Sequence, residues 1–143
     1  MNRYVADAQH LQLKQTWAHP AEAPGNDLIR FKHVELVPQL LPDAPVDIRT
    51  PLTVKFQFWN FTNDILISTN LVLFSYSGEC IFDIPSAATQ CNKGIVSGEC
   101  TIPGNFLNDG SYYISLYVVR DTTTPLFDYE GCLSFDLEDY RGK

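Results

Sequence analysis

Apolar and polar residues alternate with a period of two along much of this chain, the spacing that turns successive side chains to opposite faces of a β-strand. The cleanest case is "PLTVKFQFWN" (51–60). Leu52, Val54, Phe56 and Phe58 share one face, and Thr53, Lys55, Gln57 and Trp59 share the other. "GSYYISLYVVRD" (110–121) sets Tyr112, Ile114, Leu116 and Val118 against Tyr113, Ser115, Tyr117 and Val119. In "LIRFKHVELV" (28–37), strict alternation groups Ile29 and Phe31 with His33 and Glu35, and Arg30 and Lys32 with Val34 and Leu36. "LFDYEGCLSFDLED" (126–139) sets Leu133, Phe135 and Leu137 against Cys132, Ser134 and Asp136. "STNLVLFSYSGECIFDI" (68–84) reads as a strand, a turn at Ser77–Gly78 and a continuation, and "GIVSGECTI" (94–102) as a further strand.

Six or seven short strands at regular spacing predict an all-β, antiparallel β-sandwich. Residues 1–27 read as an irregular lead-in, with "AHPAEAPGND" as a linker ending in a turn and "YVADAQHLQLKQ" as a candidate short helix. The sandwich is expected over residues 28–143.

The more apolar faces form the predicted core. The other face is expected to be shared by Lys55, Gln57 and Trp59 from one strand, Tyr113, Ser115 and Tyr117 from another, and Ser134 from the last. Aromatic rings stack on the C–H patches of pyranose sugars, and amide, hydroxyl and charged groups bond their hydroxyls. These seven residues are the candidate carbohydrate-binding set. The same composition also suits a dimerisation or docking surface, which is the rival reading.

Composition narrows the classes. The length of 143 residues fits one domain, and 45% hydrophobic with 19% charged residues reads as a globular chain rather than a disordered tail. A net charge of -7 argues against nucleic acid and anionic lipid and suits a ligand that is neutral or held by local contacts. No N-terminal apolar run marks a signal peptide, and no apolar segment is long enough to span a bilayer. Cys80, Cys91, Cys100 and Cys132 form no CxxC, and His10, His19 and His33 all lie upstream, so no metal site is expected. Without a secretory signal the four thiols are expected to be reduced.

The chain contains no GxxxxGK[ST], GxSxG or HExxH, and isolated His and Cys residues do not make a nucleophile. The reading is a non-enzymatic domain without a cofactor.

One resemblance gives these features a context. "TWAHPAEAPGNDLIRFKHVEL" (16–36) resembles the segment that opens the C-terminal domain of Wzt-type ATP-binding subunits, the ABC-transporter components that export O-antigen and related polysaccharides. Trp17, Ala23 to Asn26 and Ile29 to Leu36 carry the match. "PLTVKFQFWN", "NLVLFSYSGECIFD", "CTIPGNFLNDGSYYISLYVVRD" and "LSFDLED" are similar to its later strands, in the same order. The resemblance implies an immunoglobulin-like sandwich, with a jelly-roll-like variant as the alternative. It implies recognition of the exported glycan at the cytoplasmic face of the bacterial inner membrane. The implied partners are the polysaccharide, a nucleotide-binding domain, a membrane permease and a second copy of the chain, with strand exchange as one route to the homodimer. Walker motifs are missing, so the chain reads as a fragment whose lead-in follows an absent nucleotide-binding domain. The family supplies no residue-specific binding motif.

Overall fold

The computed structural model describes residues 13–39 and 47–138. Within them lie nine strands: β1 (Lys14–Thr16), β2 (Ile29–Pro38), β3 (Leu52–Asn60), β4 (Ile65–Ser75), β5 (Cys80–Pro85), β6 (Thr89–Cys91), β7 (Gly94–Ile102), β8 (Gly110–Arg120) and β9 (Thr124–Leu137). A single 3-10 turn spans Pro20–Glu22. One sheet has the order β1-β2-β3-β7, and the other β5-β4-β8-β9, with β6 also paired to β4. All strand pairings are antiparallel.

The architecture is therefore mostly β, with two sheets sharing one hydrophobic core. Val54 and Phe58 from β3, Ile114 and Leu116 from β8, and Leu133 from β9 are fully buried in the same cluster. Rings meet across the layer: Phe31 of β2 lies 5.2 Å from Tyr129 and 6.2 Å from Phe127 of β9. Removing this apolar surface from water, at about 25 cal/mol per Å², is what holds the sheets together.

The alternation expected of β3 and β8 holds along both strands. That expected of 28–37 does not. A register shift between Phe31 and His33 inserts Lys32 as an extra residue, and the phase flips there. Ile29, Phe31, Val34 and Leu36 are consequently buried together, while His33 and Glu35 face out. A second irregularity, between Ile114 and Leu116 of the β8–β9 ladder, accommodates Gly131 at φ +64. It also puts Cys132, expected on the polar side, fully into the core.

Part of the expected lead-in is built into the fold. β1 adds to β2, the Trp17 ring packs 6.1 Å from Tyr129, and the Asn26 amide donates to the Leu126 carbonyl. The candidate helix lies largely outside the described residues, and Lys14 and Gln15 at its end are strand.

Candidate functional site

The inner faces of both sheets are consumed by the core, so recognition chemistry has to use the outer faces or the edges. Cross-strand registers fix which side chains are neighbours.

On the outer face of the first sheet the rows run across all strands. Lys14, Glu35, Lys55 and Glu99 form one row of alternating charge. Thr16, His33, Gln57 and Ser97 form the next, and Arg30, Trp59 and Ile95 another. Many of these groups are engaged with each other. The His33 ring lies 2.8 Å from the Thr16 hydroxyl and 3.0 Å from the Glu35 carboxylate. The Gln57 amide donates to Ser97 at 3.2 Å, and the Lys32 ammonium sits 5.4 Å over the Trp59 ring. The Trp59 face already holds a cation.

The outer face of the second sheet differs. Tyr113 lies between Phe74 of β4 and Ser134 of β9 in one row, and Tyr117 lies between Asn70 and Asp128 in another. Phe74 and Tyr113 stack with centroids 5.0 Å apart and planes 16° apart. Tyr76 approaches Tyr113 edge-on at 5.8 Å and 85°. Offset stacking and edge-to-face contact are the favoured geometries of aromatic quadrupoles. Half-exposed rings thus form a platform, with Asp128 and Glu130 beside Tyr117 and Asp136 beside Tyr76. Burial pushes the Tyr117 and Tyr76 phenols above the usual tyrosine pKa, with the neighbouring carboxylates adding to the shift and the Ser115 and Ser134 hydroxyls opposing it. Both phenols are protonated donors at neutral pH.

The seven sequence-derived candidates therefore divide between opposite surfaces. Lys55, Gln57 and Trp59 share the first sheet's outer face; Tyr113, Ser115, Tyr117 and Ser134 share the second's. Grouping them on one face is corrected by the topology: β3 and β8 belong to different sheets. Within the second group, Ser115 is fully buried, and its hydroxyl accepts from the Gly131 N–H at 2.9 Å. It fixes the β9 bulge and presents nothing to solvent. Ser134 is 7% exposed and lies against Tyr76. Sequence reasoning missed Phe74, Tyr76, Asn70 and Asp128, because only the β4–β8 and β8–β9 registers bring them beside the tyrosines.

A separate groove of about 310 Å³ opens on one flank, between β7 of the first sheet and β5 and β6 of the second. Phe56, Ile84 and Val96 line it, together with the thiols of Cys91 and Cys100. Burial raises both thiol pKa values. All four cysteines are free. Among the described residues no group of three or more His, Cys, Asp or Glu is placed to hold a metal ion, and no helix is long and apolar enough to cross a membrane.

No family model matches the chain. No curated protein matches it either. Solved structures do. The crystal structure of the C-terminal domain of wzt superposes with a TM-score of 0.70 at 10% identity, covering 94% of this chain and 85% of that one. At that identity the likeness is one of fold. An ApaA protein from Bordetella pertussis, at 13% identity and covering 80% of this chain and 97% of that one, reaches a TM-score of only 0.37.

Proposed function

We propose that this chain is a non-catalytic glycan-recognition domain of the kind that closes the ATP-binding subunit of a polysaccharide exporter, with an immunoglobulin-like sandwich as its scaffold. In that role it binds the finished O-antigen or related glycan on the cytoplasmic side of the inner membrane and couples it to export. The residues before β1 then lead from the nucleotide-binding domain, and the permease and a second subunit complete the assembly. The fold likeness to the wzt C-terminal domain supports this reading, together with the sequence motifs in their shared order.

The observation that carries it is the Phe74–Tyr113–Tyr76 platform with Tyr117 four residues along the same strand face. Tyr113 and Tyr117 are about 13 Å apart by strand rise, the span of two to three sugar rings. Pyranose C–H faces stack on the rings, phenols donate, and Asp128 and Asp136 accept from sugar hydroxyls. The acidic border favours a neutral glycan, since an acidic chain meets like charge. No bond is made or broken.

The test is an NMR titration of the chain with neutral and with acidic bacterial polysaccharides, repeated on Tyr113→Ala. Shifts confined to the tyrosine face, with neutral glycan and lost in the variant, support the reading. Unchanged spectra at millimolar repeat-unit concentration overturn it.

A further inference from the structure

The two outer faces distribute charge differently. On the first sheet acids and bases alternate along a row, as in Lys14, Glu35, Lys55 and Glu99. The strands of the second sheet carry four carboxylates, and all of them take the outer face: Asp83 on β5, in the row of Val72, and Asp128, Glu130 and Asp136 on β9. The same strands hold one cation, Arg120, at the end of β8. Arg120 stands in the row of Ile67, on the core side, and its guanidinium lies 3.7 Å from the Asp121 carboxylate. The tyrosine face is thus acidic without an internal counter-charge.

The negative charge is densest beside Tyr117. Asp128 is its cross-strand neighbour, Glu130 follows on the same side of β9, and both adjoin its phenol. Among the described residues neither has a cationic partner. Like charges on one strand face repel each other. On the other flank of Tyr117, Asn70 of β4 is the cross-strand neighbour and Ser68 the diagonal one. Ser68 is 7% exposed, and its hydroxyl has no protein partner among the described residues. A buried hydroxyl in that state is a binding group lacking its ligand. The rings add a further attraction, since a cation within about 6 Å of an aromatic face is drawn to its quadrupole. Lys32 already fills that role over Trp59 on the first sheet. Among the described residues no cation does so over Tyr113 or Tyr117.

We infer that the glycan held at this face carries a free amino group, which seats as an ammonium against the Tyr117 ring and the Asp128 and Glu130 carboxylates. The inference rests on glycan recognition at the tyrosine face and adds the substituent that the face selects. A neutral chain stacks on the rings but leaves both carboxylates unpaired. An ammonium brings three donors and the missing positive charge. Asn70 and Ser68, on the far flank of Tyr117, are placed for hydroxyls of the adjoining sugar. N-acetylation of the amine removes the charge and keeps the ring, so it separates this attraction from stacking.

Calorimetric and NMR titrations of the full chain with a glucosamine tetrasaccharide and with its N-acetylated counterpart test it, since the two share rings, linkage and length. The amino chain is expected to bind about three- to thirtyfold more tightly at low salt, the scale of one exposed cation–π contact plus one surface ion pair, and to shift the Tyr117 signals. Asp128→Asn and Glu130→Gln are each expected to lower that preference and together to abolish it, with circular dichroism confirming the fold. Glu99→Gln removes a carboxylate from the other sheet and is expected to leave the preference intact. Equal affinities for the two chains overturn the inference. So does a preference that survives the double variant, or that Glu99→Gln lowers as much as Asp128→Asn does, because it then reflects overall charge. Tyrosine-face shifts with both chains at equal affinity leave glycan recognition standing and remove only the amine. Absence of any shift with either chain at millimolar concentration also overturns the inference, and the polysaccharide titration above then decides glycan recognition by itself.

Discussion

Trp59 and Tyr113 point away from each other from opposite surfaces of the molecule, with both sheets and the whole core between them. Packed sheets alone stand about 10 Å apart, and the outward side chains add to that. A sugar stacked on Tyr113 cannot touch Trp59. In a glycan titration, the Trp59 indole resonance is therefore expected to stay fixed while Tyr113 and Tyr117 signals move. Tyr113→Ala should weaken binding by about two- to tenfold, the scale of one lost aromatic contact of about 0.5–1.5 kcal/mol. Trp59→Ala should leave affinity unchanged. Calorimetric titration of the two variants checks both.

Ser115→Ala is expected to destabilise the fold by about 0.5–1.5 kcal/mol, because it removes the hydrogen bond that the Gly131 N–H donates to the Ser115 hydroxyl. Gly131→Ala should cost about 1–2 kcal/mol through its left-handed backbone alone. As the two residues share one hydrogen bond, their effects are coupled, and urea unfolding of the single and double variants measures the coupling.

Gly98 leaves room for a neighbour. A Cβ at that position would lie only 2.4 Å from Cζ of the Phe56 ring. Gly98→Ala must displace this ring, and overpacking of that kind costs about 1–3 kcal/mol. Thermal denaturation should show the loss, and Phe56→Leu in the same chain should recover part of it.

The Arg49 side chain and backbone N–H bond to Asp47, and the guanidinium reaches its carboxylate at 2.8 Å. These contacts hold the carboxyl below its ordinary pKa near 3.8. A group depressed in the folded state contributes stability above its unfolded pKa. That contribution is lost as pH falls through the folded value, so its window lies below about pH 3.8. Acid unfolding of Asp47→Asn should lack this component, while the wild-type chain shows it.

Cysteine reactivity follows exposure. Cys132 is fully buried and its thiol is pushed up to about 12, whereas Cys80 is exposed. Alkylation at pH 8 followed by mass spectrometry should modify Cys80 first. Cys132 should react only as the protein unfolds, because the thiolate is the reactive form and it scarcely forms in the core.

Period-two alternation located six of the strand regions and separated core from surface on β3 and β8. Tyr112, assigned to the core on that basis, is 7% exposed there. The bulge at Lys32 was harder to read, since one extra residue reverses the phase without changing the composition. Its trace is the apolar spacing 29, 31, 34, 36, which no unbroken strand produces. β1 and β6 are three residues each, too short for periodicity to register. The candidate site was half legible. Alternation identified the outward side of Trp59, Tyr113 and Tyr117 but not the burial of Ser115 and Cys132, and which strands share a sheet depends on topology, which placed Trp59 and Tyr113 on separate surfaces. The Phe74–Tyr113 stack depends on register, a long-range property that no local window contains.

Tyr112 and Tyr113 are adjacent in sequence, yet one donates its phenol to the Asn108 carbonyl at 2.7 Å beneath the sheet and the other lies open on top of it. Ring resonances assigned to the two therefore follow different events. Those of Tyr112 follow melting of the loop before β8, and those of Tyr113 follow occupancy of the platform. The two neighbours thus give the molecule paired internal reporters, one for integrity and one for cargo.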